Sequence, residues 1–188
     1  NTFGIEKVHR SIKKHIECYK KYDKIICVSE TVKDAFTERF GIDDNIVVKY
    51  NVVDDSLIRQ KAKESVERTE RTRIVSVGRL AKQKGYDRLL DVAGRLNEEG
   101  FDFELVLVGK GEEEENLKNQ AENLGISDCI EFAGFVENPY KYMQSADFLV
   151  FPSRAEGYST VVTEAIILGK PIVVSDCSGM REILGDSE

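Results

Sequence analysis

Four short polar turns, each following an apolar run, hold the residues of this sequence that can do chemistry. The first is Gly78-Arg79-Leu80-Ala81-Lys82-Gln83-Lys84-Gly85. Arg79 can grip phosphate oxygens in a fork, Lys84 supplies a compact charge, and Gly85 lets the backbone pass close to a ligand. A diphosphate suits such a place; taken alone, the segment also reads as a surface turn with ordinary lysines. The last turn, Phe151-Pro152-Ser153-Arg154-Ala155-Glu156-Gly157-Tyr158-Ser159-Thr160, is the most specific. Ser159 or Thr160 is a good N-cap for a helix that Gly169-Lys170-Pro171 stops. The free N–H groups at that helix start suit an anion or a sugar oxygen. Glu156 precedes the helix and Glu164 lies about one turn inside it. A carboxylate accepts two hydrogen bonds, so each can hold a vicinal diol, one on a sugar and one on a ribose. Either glutamate alone also reads as a solvated surface residue.

The two middle turns say less. Gly109-Lys110-Gly111 leads into Glu112-Glu113-Glu114-Glu115. A third glycine would be needed for a dinucleotide fingerprint, and Glu114 stands in its place. Four carboxylates would repel a diphosphate, although they complement a helix dipole. We read these glycines as a tight turn lining one wall of a cleft. In Ala133-Gly134-Phe135-Val136-Glu137-Asn138-Pro139, Phe135 and Val136 can flank a planar base, or belong to the core.

The elements that must position these turns follow from hydrophobic rhythm. Apolar runs at Ile74–Val77, Phe103–Val108, Cys129–Phe132, Phe148–Phe151 and Ile172–Val174 read as strands. Helices are expected at Tyr86–Glu98, Glu112–Leu124, Pro139–Ser145 and Thr160–Leu168. Strands alternating with helices predict an α/β fold with a doubly wound parallel sheet, covered on both faces. Such sheets bind ligands at the carboxyl ends of their strands, which is where all four turns lie. Upstream, Ile5–Tyr22 reads as a helix, Lys24–Val28 as a short strand, Ser29–Phe40 as a capped helix stopped by Gly41, and Ile46–Tyr50 as another strand. Asp54–Thr72 is polar and charged and reads as a linker with some helix.

Composition bounds the function. A net charge of −7 argues against a general nucleic-acid binder. Cys18, Cys27, Cys129 and Cys177 are scattered without a zinc or disulfide pattern, which favours a reducing cytoplasm. No apolar run approaches the roughly 18 residues a membrane span needs. The Ile5–Tyr22 helix carries Lys7, Arg10, Lys13, Lys14, Lys20 and Lys21 on one face, which reads as a solvated face or as a peripheral contact with anionic lipid headgroups.

Together the turns resemble the nucleotide-sugar-binding domain of family-4 type, GT-B glycosyltransferases. The resemblance rests on Gly78-Arg79-Leu80 with Lys84-Gly85, Gly109-Lys110-Gly111, Gly134-Phe135-Val136 and Phe151-Pro152-Ser153. It rests above all on Glu156 and Glu164, separated by seven residues. Ser178-Gly179-Met180-Arg181-Glu182-Ile183 resembles a further loop of the same cleft. The resemblance implies that Arg79 and Lys84 stabilise a departing nucleoside diphosphate, Glu156 contacts the donor sugar and Glu164 the ribose. It places Gly157, Tyr158, Ser159 and Thr160 along the sugar and phosphates, Val136 at the base, and Gly78, Gly109 and Phe135 in the donor cleft. The donor would be a UDP- or GDP-sugar, transferred with retention to a glycan or lipid-linked acceptor. Neither cofactor nor metal is implied, in keeping with a sequence that contains no Asp-x-Asp.

The resemblance further implies three regions: residues 1–50 as the end of an N-terminal acceptor domain, 51–72 as a linker and helix, and 73–188 as a donor domain. The start at Asn1-Thr2-Phe3-Gly4 and the end at Glu188 are expected to be cuts into a longer protein, leaving a piece inactive by itself. A related nucleotide-sugar epimerase, a sugar-phosphate synthase and a non-catalytic binding module stay open as alternatives.

Overall fold

The computed structural model describes residues 12–185. The expected N-terminal helix is described only as α1 (residues 12–19); its first turns, with Lys7 and Arg10, lie outside the described residues. Two three-residue strands, β1 (Ile25–Cys27) and β2 (Ile46–Val48), pair in parallel. Between them runs α2 (Glu30–Phe40), begun where the Ser29 hydroxyl accepts the Val32 N–H and ended by Gly41 in the left-handed region. Cys27 is buried at the end of β1, the reduced core cysteine its apolar run predicts.

The charged stretch beyond β2 does contain a helix, α3 (Asp55–Lys61), capped by Asp54 and sinking Ile58 into the core. The rest is strapped down rather than loose. Arg68 donates through Nη2 to both oxygens of Asp147 at 2.8 and 2.7 Å and through Nη1 to the Ser145 carbonyl, and the Lys61 carbonyl accepts from Asn138. Those partners lie more than 70 residues away in sequence, which is why local composition suggests a linker.

From here the chain alternates: β3 (Thr72–Val77), α4 (Tyr86–Glu98), β4 (Phe103–Val108), α5 (Glu114–Asn123), β5 (Ile130–Gly134), α6 (Tyr140–Ser145), β6 (Phe148–Phe151), α7 (Thr160–Ile167), β7 (Ile172–Val174) and α8 (Met180–Leu184). The five strands form one wholly parallel sheet in the order β5-β4-β3-β6-β7. This is the doubly wound sheet expected. Side chains alternate along each strand and feed two cores. Ile74, Leu105 and Leu107 meet Leu89, Leu90 and Ala93 of α4 and Leu117 of α5 on one face. Val75, Val106 and Val108 meet Met143 of α6, Val162 of α7 and Met180 of α8 on the other. Arg73 enters this interior and is satisfied there: it donates to Glu104 at 2.6 Å, to the Ser145 hydroxyl and to the Glu67 carbonyl.

Candidate functional site

The strand order reverses between β3 and β6. From β3 the chain winds toward β4 and from β6 toward β7, so the two following loops part and leave a crevice at the carboxyl edge. The first and last of the four polar turns are the walls of that crevice.

Lys84 closes a 3-10 turn, Lys82–Lys84, and its ammonium donates to Glu156 Oε1 at 2.7 Å. The Ser153 hydroxyl donates to the same oxygen at 2.6 Å. The pair is well shielded, with side chains 26% and 9% exposed. Beneath it a small polar crevice is lined by Ser76, Lys84, Tyr86, Ser153, Glu156 and Ser159. Burial pushes the Tyr86 hydroxyl up to about 12, so it remains a neutral phenol beneath the carboxylate. Ser153 belongs to the Phe151-Pro152-Ser153 motif, whereas Ser76 and Tyr86 are not among the residues the sequence singles out. Ser153 carries a signal of its own as a polar side chain two residues past a buried strand; Tyr86 opens α4 and carries no local sign of a place in the crevice.

Arg79 stands exposed at the mouth of the same loop and forms no ion pair among the described residues. Gly85 uses its conformational freedom at a contact between loops. Gly85 is left-handed, and a Cβ there would stand 2.1 Å from the Pro152 carbonyl oxygen. The turn is thereby pressed against the opposite loop. Gly109 and Gly111 are explained in the same way: Cβ atoms there would stand 2.0 Å from the Gly78 oxygen and 2.2 Å from the Leu80 oxygen. They press the loop after β4 onto the loop after β3 and so shape one wall. Gly78 packs close to the Tyr86 hydroxyl and bonds through its N–H to Val108.

Helix α7 begins as predicted, with Ser159 at the cap position, but the Ser159 side chain makes no capping bond. The first N–H groups of α7, at Thr160 and beyond, are therefore not claimed by that cap and face the carboxyl edge of the sheet. Glu164, one turn in, accepts from the Tyr140 hydroxyl of α6 at 3.2 Å. Burial raises its carboxyl above the usual range, and the Tyr140 bond offsets only part of that. Phe135, after β5, is 76% exposed, so the core reading fails for it, whereas Val136 packs against the core beneath α6.

Gly157 and Tyr158 of the fourth turn face the smaller sheet. The Gly157 carbonyl accepts from the Ser29 hydroxyl at 2.8 Å, and the Tyr158 ring lies 5.2 Å from that of Tyr50. Gly179, left-handed, lets the loop before α8 sit against the carbonyls of Glu156 and Gly157. In α8, the Glu182 carboxylate accepts from the N–H groups of Glu30 and Thr31, the Thr31 hydroxyl and the Tyr50 hydroxyl, at 2.7 to 3.0 Å. Burial pushes this carboxyl up, but the four donors outweigh it and hold it at about 2. Among the described residues no group of three or more His, Cys, Asp or Glu side chains could hold a metal ion. No helix among them is long and apolar enough to cross a membrane.

The family model described as glycosyl transferases group 1 matches residues 58–188. An uncharacterised glycosyltransferase of Haemophilus influenzae is 36% identical over 167 residues, covering 88% of this chain and 46% of that protein. The N-acetylgalactosamine-N,N'-diacetylbacillosaminyl-diphospho-undecaprenol 4-alpha-N-acetylgalactosaminyltransferase of Campylobacter jejuni is 34% identical over 172 residues, covering 90% of this chain and 46% of that one. The chain thus spans about half the length of the curated relatives it matches. Among solved structures, Anabaena HepE in complex with UDP and glucose superposes with a TM-score of 0.76 at 22% identity, over 92% of this chain and 50% of that one. That likeness establishes the shared fold.

Proposed function

Because the chain belongs to the glycosyl transferases group 1 family, we propose that its crevice binds a nucleoside-diphosphate sugar and serves a retaining transfer of a hexose-type sugar to a glycan or lipid-linked acceptor. The observation that carries this is the convergence of Lys84 and Glu156, from loops 72 residues apart, at the switch point of the sheet. One loop brings cations to where a diphosphate would lie, and the other brings a carboxylate to where sugar hydroxyls would lie. The UDP and glucose named in the Anabaena HepE structure and the diphospho-undecaprenol in the Campylobacter enzyme's name support this ligand and acceptor class.

In this reading the bond from sugar C1 to the diphosphate oxygen breaks and its electron pair leaves on the diphosphate. Arg79 and Lys84 stabilise the charge that develops there, more in the transition state than in the ground state. The acceptor hydroxyl bonds to C1 on the face the diphosphate vacates, and its proton passes to the departing phosphate oxygen. Glu156 holds sugar hydroxyls and Glu164 the ribose diol, while the N–H groups opening α7 and the main chain of Gly157, Tyr158, Ser159 and Thr160 line the sugar and phosphates. Phe135 and Val136 flank the base, with Gly78 and Gly109 shaping the cleft between. The cations do the neutralising that a metal does in other transferases, so no metal or cofactor is invoked. We place the chemistry in the cytoplasm, where the free thiols are stable, with Lys13, Lys14, Lys20 and Lys21 available for peripheral contact with anionic lipid. The regions 1–50, 51–72 and 73–188 serve as acceptor-side end, connector and donor side.

Isothermal titration with UDP and GDP tests the reading. The wild-type chain is expected to bind one of them, and Arg79→Ala with Lys84→Ala to abolish that binding. A well-folded wild type and double variant that both bind neither nucleotide would overturn it.

A further inference from the structure

One strong cation near the crevice has no place in the reading above. Arg154 lies in the loop after β6, two residues before Glu156, yet its guanidinium turns toward the loop after β3. It forks onto Asp87 in the first turn of α4, Nη1 to Oδ1 at 2.7 Å and Nη2 to Oδ2 at 2.6 Å, and Nη1 also donates to the Lys82 carbonyl at 2.8 Å. Two further bonds run between the same loops. The Arg154 N–H donates to the Gln83 carbonyl at 2.8 Å, and the Gln83 side-chain amide donates to the Ala155 carbonyl at 2.7 Å.

These five bonds all land on residues 82, 83 and 87, which bracket Lys84. An isolated exposed ion pair holds little, because two flexible side chains lose entropy in one geometry. A bidentate guanidinium with a third, backbone acceptor is a different object, since its planar fork admits only one arrangement of its partners. Left-handed Gly85 completes the clamp by letting the turn sit against the Pro152 carbonyl. Lys84 alone could reach anywhere on a four-carbon stem. Its loop is fixed on both sides, so the ammonium emerges beside Ser153 and Glu156.

We propose that Arg154 is a positioning residue, which through Asp87 and the Lys82–Gln83 backbone holds Lys84 in register with the diphosphate. The inference rests on the donor-site reading given above. The competing role for an arginine so close to a diphosphate site is that of a direct phosphate ligand, and a double-mutant cycle separates the two.

The measurement is isothermal titration of whichever of UDP and GDP the wild type binds, and of the matching nucleoside, with Arg154→Ala, Lys84→Ala and both together. Arg154→Ala is expected to weaken the nucleotide about tenfold while leaving the nucleoside unchanged, because the loss falls on the phosphate contacts alone. Lys84→Ala is expected to cost little more in the Arg154→Ala background than that variant has already lost. Arg154→Lys keeps the charge without the fork and is expected not to restore affinity. Asp87→Asn, which removes the clamp from its other end and leaves every loop cation in place, is expected to behave like Arg154→Ala. Additive losses would make Arg154 a phosphate ligand in its own right, and unchanged nucleotide affinity in Arg154→Ala or Asp87→Asn would remove its role altogether; either overturns the inference. A wild type that binds neither nucleotide overturns the donor-site reading first, and this inference with it.

Discussion

At the scale of single residues the notable fact is competition. Lys84, assigned to a diphosphate, donates in this structure to Glu156, assigned to a sugar. In the proposed reading an incoming diphosphate draws the ammonium from that carboxylate, which in turn frees Glu156 for hydroxyl donors. Removing the carboxylate's charge should therefore help the nucleotide and harm the transfer. Glu156→Gln is expected to bind whichever of UDP and GDP the wild type binds about fivefold more tightly, the equivalent of releasing an ion pair of about 1 kcal/mol. Titration against wild type checks it, and a weaker or equal affinity would show that the pair persists with ligand bound. Both members of the pair stand out in the sequence by type and place. Their contact does not, because it joins positions 84 and 156 through a sheet edge that only folding creates.

At the scale of elements, strand β3 carries the site on one end and an interior charge on the other. Arg73 is 3% exposed and its partner Glu104 only 13%, so truncating one strands the other in a poor solvent. Arg73→Ala is expected to destabilise the fold by about 3 kcal/mol, read as a lower denaturation midpoint with an unchanged denaturant slope. The apolar periods of Tyr86–Glu98 and Phe103–Val108 place α4 and β4 to the residue, because long amphipathic and buried runs are set locally. Asp54–Thr72 reads as a linker for the opposite reason. Its anchors, from Arg68 to Asp147 and from Asn138 to Lys61, are long-range pairs between charged or polar residues, which leave no local period.

At the scale of the whole molecule, Glu182 joins the two sheets. Its carboxylate caps the start of α2, holds Tyr50, and through Tyr50 meets Tyr158 in the fourth turn. A group depressed in the folded protein stabilises when ionised. Its contribution is fully present above the ordinary glutamate value of 4.5 and is lost as pH falls toward about 2. The junction should therefore loosen across that window in the wild type. In Glu182→Gln, which lacks the charge, it should be loose already at neutral pH. Hydrogen exchange at the Glu30 and Thr31 amides reads this directly, and equal protection in the variant at neutral pH would rule the junction role out.

Sequence alone determined the parallel sheet, the edge at which its turns gather, and the residue types that line that edge. Each of these depends on period, caps and chemistry within a few positions. Tertiary structure decided which of those residues meet. It set Lys84 against Glu156, gave Ser153 and Tyr86 to the crevice floor, turned Gly85, Gly109 and Gly111 into loop-to-loop contacts, and aimed Arg154 away from the ligand edge toward Asp87. The reversal of strand order is the physical reason. It places side by side two loops about 70 residues apart, and no local pattern records how side chains pair across such a gap.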